Sequence, residues 1–307
     1  MQEAAEEPGE MMDVDLRSLV ARADLTYTRP VDRSEDGLPV GNGRMGSLVW
    51  TTPDAVKFQL NRVDVFAAGC DTYAFPQGGS DYGSGCGMVD IRLLEFGDDV
   101  FAGESFLQHL SVYDGLVTAR GRGVTARVAA WQRGDAFAVE IDDHRDQPAP
   151  VSVDLSMLRY ATQWMNARNW DLTRSHAAVV LTGPHSATSR LDIRGGRIVL
   201  TQEFREGKFY SASAVAIGLV GRQSRASYPN EMTVRLTAAP GKGSFTVFMA
   251  TAASSNPGED VAARAIEAVD AAERRTMEGV LADNREWWAD FWSRGFVRLH
   301  SEDGEAD

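Results

Sequence analysis

Three groups of residues in this chain are of types and spacings that could do chemistry. The first is Gly41, Gly43 and Gly46 in "LPVGNGRMGSLVW" (residues 38–50), which carry the G-x-G-x-x-G spacing of a dinucleotide-binding loop. Such glycines hold a pyrophosphate only between a strand and a helix N-terminus. Here Pro39 precedes them, with no N–H for a central strand, and the β-branched, aromatic "SLVWTTPDAVKFQL" follows. The flanks therefore predict a tight Gly-Asn-Gly turn feeding a hairpin, with Asn42 and Arg44 at its tip. The second group lies in "RYATQWMNARNWDLTR" (159–174), which has no clean period and mixes Trp164 and Trp170 with Asn166 and Arg168. Aromatic rings stack on the C–H faces of sugars, while amides and guanidiniums bond their hydroxyls. Trp164, Asn166, Arg168 and Trp170 are thus carbohydrate-contact candidates on a long loop, and Asn42 and Arg44 are weaker ones. A loop packed on its own sandwich or on another domain is the bland alternative. The third group is His109, His144, His176 and His185, with Glu203 as a possible base; each also reads as a packing or solvated residue.

The same residues exclude several chemistries. The five histidines, His300 included, show no H-x-H or H-x-x-x-H spacing, so no metal site is supported. Asp142-Asp143 and "SDYGSG" lack the ligand order of a calcium loop, and there is no G-x-S-x-G elbow. No catalytic residue is assigned and no cofactor is implied. A formal charge of -13 over 307 residues argues against a nucleic-acid partner and suits a neutral one such as a sugar. No run of about 18 apolar residues exists to cross a membrane as a helix, so no membrane partner is expected. The acidic opening "MQEAAEEPGEMMD" has no apolar core and is no signal peptide. Cys70 and Cys86 are a possible disulfide if the protein is exported, worth about 3 kcal/mol; two unpaired thiols are the alternative.

The elements that must position these groups are mostly strands. "AVKFQL", "MVDIRLLEF", "SFLQHLSV", "LVTAR", "VTARVAAW" and "AFAVEIDD" follow one another with Gly and Asp turns between them. "VSVDLSML", "LDIRGGRIVLTQEF", "FYSASAVAIGLV", "EMTVRLTA" and "GSFTVFMA" continue the series, and Gly195-Gly196 has the composition of a two-residue hairpin turn. A dozen or more short strands without intervening helical pattern predict an all-β fold, a large two-sheet antiparallel super-sandwich.

The pattern changes after residue 255. Asn256-Pro257 suits a helix start with Glu259 and Asp260 in the first turn, and Gly279 marks a candidate break between two helices. Val280, Leu281, Trp287, Trp288, Phe291 and Trp292 then fall on one helical face, and Gly295 suits the C′ position. At about 150–250 Å² per aromatic, that face needs a large apolar cover. Trp287, Trp288, Phe291 and Trp292 are therefore domain-interface candidates, covered by the sandwich itself or by a further domain.

"LPVGNGRMGSLVW" together with "FQLNRVDVF" (58–66) resembles the start of glycoside hydrolase family 95, the α-fucosidase-type enzymes. That family has an acidic residue after the "LN", where Arg62 stands here. "DVFAAGCDTYAF" and "SDYGSGCGMVDI" are closer to a related, uncharacterised domain family at the front of glycoside-hydrolase-like proteins. The resemblance covers residues 36 to about 160 and extends to "EWWADFWSRGFVRL", similar to a linker helix. It implies a following helical (α/α)6 barrel that supplies the carboxylates of an inverting hydrolase. The expected organisation is a disordered or extended lead (1–24), a β-super-sandwich (25–255), linker helices (256–294) and the start of a following catalytic domain (295–307). The expected function is that of a non-catalytic N-terminal domain whose partners are carbohydrate and the C-terminal barrel of the same polypeptide. An independent carbohydrate-binding module and a mutarotase-like sugar epimerase are the alternatives, and secretion or a periplasmic location is expected by analogy alone.

Overall fold

The computed structural model describes residues 14–67, 82–93, 99–158, 169–173, 177–182 and 185–295. Eleven strands form one antiparallel sheet, in the order β1 (Leu25–Tyr27), β6 (Leu107–Ser111), β7 (Leu116–Gly121), β8 (Val124–Ala130), β9 (Ala136–Asp143), β18 (Gly243–Ser254), β15 (Phe209–Val220), β14 (Arg197–Glu206), β13 (His185–Arg194), β12 (Ala177–Thr182) and β11 (Asn169–Thr173). Seven form the second sheet, in the order β16 (Ser224–Asn230), β17 (Thr233–Ala238), β10 (Val151–Ser156), β5 (Tyr82–Arg92), β4 (Ala55–Ala67), β3 (Met45–Thr52) and β2 (Leu38–Gly41). The chain is the two-sheet antiparallel sandwich that its alternating pattern predicts.

Alternation along the central strands explains why a third layer exists. Phe137, Val139 and Ile141 of β9, Val215 and Ile217 of β15, and Phe245, Val247 and Met249 of β18 point between the sheets. Their neighbours Ala136, Ala138, Ala212, Ala214, Ala216, Ala250 and Ala252 face the other way. Small side chains let a helix lie close, and α2 (Val261–Ser293) packs Val261, Ala265, Val269, Ala272 and Val280 on this alanine stripe. Two buried glutamines stitch the sheets together. Gln108 Nε2 donates to Val49 O at 3.0 Å, and Gln202 Nε2 donates to Gly85 O and Cys86 O, both at 3.0 Å. A buried amide with these partners avoids the cost of an unsatisfied polar group.

Several local expectations hold and others need correction. β13 and β14 turn on Gly195 and Gly196, with φ of 56° and 79°, the backbone of a type I′ hairpin. Part of the expected disordered or extended lead is a helix: α1 (Leu16–Ala21) is capped by Asp15, which accepts from Ser18 N at 3.2 Å. Arg17 holds α1 on the β6–β7 turn through Asp114 at 2.9 Å. The C-terminal helix starts at Val261 rather than Asn256, because Asp260 is its N-cap and accepts from Ala263 N at 3.0 Å. Its break is at Thr276 (φ 64°, ψ 164°) rather than Gly279, with Thr276 Oγ1 taking the Gly279 N–H at 3.4 Å. The aperiodic loop ends sooner than expected, since Asn169–Thr173 pair with β12.

Candidate functional site

The "GNGR" turn joins β2 to β3, and a strand rather than a helix follows it, which removes the nucleotide-loop geometry. Gly43 takes φ 84°, a conformation that glycine adopts without strain. Asn42 Oδ1 accepts from Arg44 N at 3.0 Å and from Met45 N at 2.9 Å. Its Nδ2 donates to Trp131 O at 3.1 Å and Gly134 O at 2.8 Å, in the turn between β8 and β9. Two donors and two acceptor positions are all that an amide has, so Asn42 is fully committed to joining the hairpins. Arg44 bonds Asp135 through Nε at 2.7 Å, while about half of its side chain stays exposed.

Arg62 is the buried hub beneath this turn. Its guanidinium bonds Asp64 twice at 2.7 Å, Asp135 at 3.1 Å, and Thr251 through the carbonyl at 3.1 Å and the hydroxyl at 3.0 Å. Burial alone would depress this guanidinium, but its bonds to Asp64 and Asp135 outweigh that and raise it. Asp64 is held below the usual carboxylate range, chiefly by the Arg62 hydrogen bond and against the effect of burial. A general acid at neutral pH needs a shift the other way. This cluster is therefore a clamp: it ties β4 of one sheet to β18 of the other.

The β8–β9 turn is held in turn by α2. Trp131 Nε1 donates to Asp283 at 2.8 Å, Asn284 Nδ2 donates to Ala130 O at 2.7 Å, and Asn284 Oδ1 accepts from Gln132 N at 3.0 Å. Arg275 grips Asp283 across the Thr276 break at 2.7 and 2.8 Å. These bonds aim the last turns of α2 at the β2–β3 and β6–β7 hairpins. There Trp288 lies against Gly115, and Trp292 Nε1 donates to Tyr113 O at 3.2 Å. Trp287 and Phe291 stack at 5.3 Å, Trp288 and Trp292 at 5.8 Å, and Trp287 meets Trp288 edge-on at 4.7 Å.

The result is a groove of about 970 Å³. Its floor is the glycine backbone of Gly41, Gly43, Gly46 and Gly115. Trp288, Phe291 and Trp292 line it together with Arg44, Ser47 and Asn61. Trp287 and Phe291 remain 37% and 45% exposed at its lip. The structure thus brings Asn42, Arg44, Trp288, Phe291 and Trp292 to one place, with Trp287 beside them.

Other candidates fall elsewhere. Trp164, Asn166, Arg168, His176, His300 and Cys70 lie outside the described residues; for Trp170 and His185 only the backbone is described. Cys86 is buried in the core. His109 bonds Asp24 at 3.1 Å and His144 bonds Asp142 at 2.8 Å. His109 is on β6 and His144 follows the last residue of β9, three strand spacings away, about 14 Å, so the two do not converge. Among the described residues no group of three His, Cys, Asp or Glu could hold a metal ion, and no described helix is long and apolar enough to cross a membrane.

A family model described as a domain of unknown function, DUF5703, in its N-terminal form, matches residues 26–213. The chain belongs to that family. The resemblance to proteins with glycoside-hydrolase-like fronts is thereby narrowed to DUF5703. No curated protein matches the chain. Among solved structures, the DUF5703 chain is similar to a protein from the human microbiome assigned as a kojibiose phosphorylase, with TM-score 0.52 and 10% identity, over 88% of this chain and 38% of that one. It also aligns with a family GH92 alpha-mannosidase from Bacteroides thetaiotaomicron (TM-score 0.34, 11% identity, 83% of this chain and 35% of that one). A bacterial glucoamylase complexed with acarbose gives TM-score 0.31 at 6% identity, over 86% and 40%. Of these three only the first bears on the fold. The chain spans well under half the length of each.

Proposed function

We propose that this DUF5703 chain is the non-catalytic N-terminal domain of a glycoside-processing enzyme, of the family-95-like type that its opening motif resembles. In that role it docks on a helical (α/α)6 barrel of the same polypeptide and shapes one wall of a carbohydrate cleft. The observation that carries the reading is the aromatic seat. Trp287 and Phe291 present an apolar lip of a kind that a soluble domain seldom leaves uncovered, and it runs into the 970 Å³ groove. The clamp around Arg62 and the Asp283 bonds hold that seat rigid, as a docking surface requires. The fold shared with a longer protein assigned as a kojibiose phosphorylase supports a sugar-processing setting. An exported protein is the matching location.

The test is whether the gene encodes a helical domain beyond Asp307. Produced separately and mixed with residues 1–307, that domain forms a one-to-one complex that Trp287→Asp or Phe291→Asp abolishes. The 307-residue chain alone releases no nitrophenol from aryl glycosides. Absence of a helical continuation, a complex indifferent to both substitutions, or hydrolysis by the isolated chain would each overturn the reading.

A further inference from the structure

A second cleft opens at the other end of α2, on the outer face of the eleven-stranded sheet. Register sets Arg190 opposite Thr201 and Thr188 opposite Glu203, and the next strand carries Ala214 and Ala212 beside them. Those alanines lie under α2, so Thr188, Arg190, Thr201 and Glu203 occupy the same outward face just beyond the helix start. The cleft between them has a volume of about 480 Å³. A neighbouring cleft of about 470 Å³ adjoins it and shares Tyr210 and Glu259. Each is within the roughly 300–1,000 Å³ of small-ligand sites.

The polar inventory of the first cleft decides what it suits. Most of its charges are already paired: Arg194 with Asp260 at 3.3 Å and Asp192 at 3.4 Å, Glu259 with Arg264 at 2.6 Å, and Glu203 with Arg205 at 3.3 Å. Among the described residues Arg190 has no carboxylate partner, so its donors are available. Thr201 Oγ1 is buried without a hydrogen-bond partner, a deficit that a ligand hydroxyl would fill. Arg205 lies 4.7 Å over the Tyr210 ring and fixes it where the two clefts meet. Four lining carboxylates (Asp192, Glu203, Glu259 and Asp260) outnumber two guanidiniums (Arg190 and Arg194), so an anion is disfavoured. A neutral ligand rich in hydroxyls uses both the donors and the acceptors.

We propose that this cleft binds a neutral pyranose unit of a glycan, with Arg190 donating, Thr201 bonding a ring hydroxyl, Glu203 accepting, and Tyr210 bordering a second unit. The sugar class rests on the functional reading above; the location rests on the cleft alone. The test titrates residues 1–307 with neutral gluco-, galacto- and manno-configured trisaccharides, and with a glucuronate-terminated trisaccharide as the anionic control, by calorimetry and saturation-transfer NMR. At least one neutral trisaccharide binds, Arg190→Ala and Thr201→Val each weaken it about three- to tenfold, and Phe291→Asp leaves it unchanged. Circular dichroism confirms that the variants fold. The proposal is overturned by no neutral binding up to millimolar concentration, by equal or tighter binding of the glucuronate ligand, or by affinity unaffected by Arg190→Ala and Thr201→Val. Loss of binding in Phe291→Asp would also overturn it, placing the sugar in the aromatic groove. Because complex formation with the barrel does not enter this assay, either idea can fail without the other.

Discussion

Replacing Asp283 with alanine removes one acceptor that serves two side chains at the junction of α2 and the β8–β9 turn. Asp283 is 4% exposed, and its carboxylate takes the Trp131 indole N–H at 2.8 Å and two Arg275 donors at 2.7 and 2.8 Å. Arg275 is nearly half exposed and water can solvate it, so losing its partner costs little. The Trp131 N–H lies in a part-buried contact, and leaving such a donor without its acceptor costs up to about 1–3 kcal/mol. Asp283→Ala should therefore lower unfolding free energy by about that amount in urea titrations followed by tryptophan fluorescence. Asp283→Asn keeps an oxygen for Trp131 and loses less. The acid limb gives a second reading of the same contact. Arg275's hydrogen bond, then Trp131's, holds the Asp283 carboxyl below the usual range against the opposing effect of burial. A carboxyl lowered on folding contributes its full stability above its unfolded value of about 3.9, and loses it as pH falls through the folded value. The stability gap between parent and Asp283→Asn should therefore close below about pH 4. An Asp283→Ala loss under about 0.5 kcal/mol, or a gap that stays constant on acidification, would contradict this role for the Asp283 carboxylate.

Thr276 sits at φ 64°, ψ 164°, a region that costs a non-glycine residue about 1–3 kcal/mol, whereas replacing its capping hydroxyl by glycine costs only a few tenths. Thr276→Gly should raise the melting temperature, and a lowered one would contradict the strain. A methyl added at Gly115, at a backbone φ of 59°, would overlap Trp288 Nε1. Gly115→Ala should displace that indole, shifting tryptophan emission and lowering stability by more than about 1 kcal/mol; an unchanged spectrum would mean that Trp288 does not rest there.

Strands with one apolar face, such as "AFAVEIDD" and "FYSASAVAIGLV", were legible because their alternation is the physical cause of their place in the sandwich. "SRASYPN" was not: β16 is exposed on nearly every residue and pairs with β17 alone, so no alternation marks it, and Pro229 is tolerated at an edge. The alanine stripe under α2 was visible only once the sheet register was known. In the site, the spacing of Trp287, Trp288, Phe291 and Trp292 announced one apolar face, and "GNGR" announced a turn. That the two meet was hidden, because the bonds joining them span 89 to 154 residues of sequence. Arg62 stood out only as a departure from the family pattern; its partners Asp135 and Thr251 lie 73 and 189 residues away. The helix break was sought at a glycine and occurs at a threonine, whose hydroxyl caps the second half.

What covers the aromatic lip decides the docking role. Hydroxyl-radical footprinting can compare residues 1–307 alone with the same chain joined to the helical barrel proposed to follow it. Oxidation of Trp287 and Phe291 should fall several-fold in the longer protein, while Tyr210, at the far cleft, keeps its rate. Equal oxidation of Trp287 and Phe291 in both proteins would contradict the docking role.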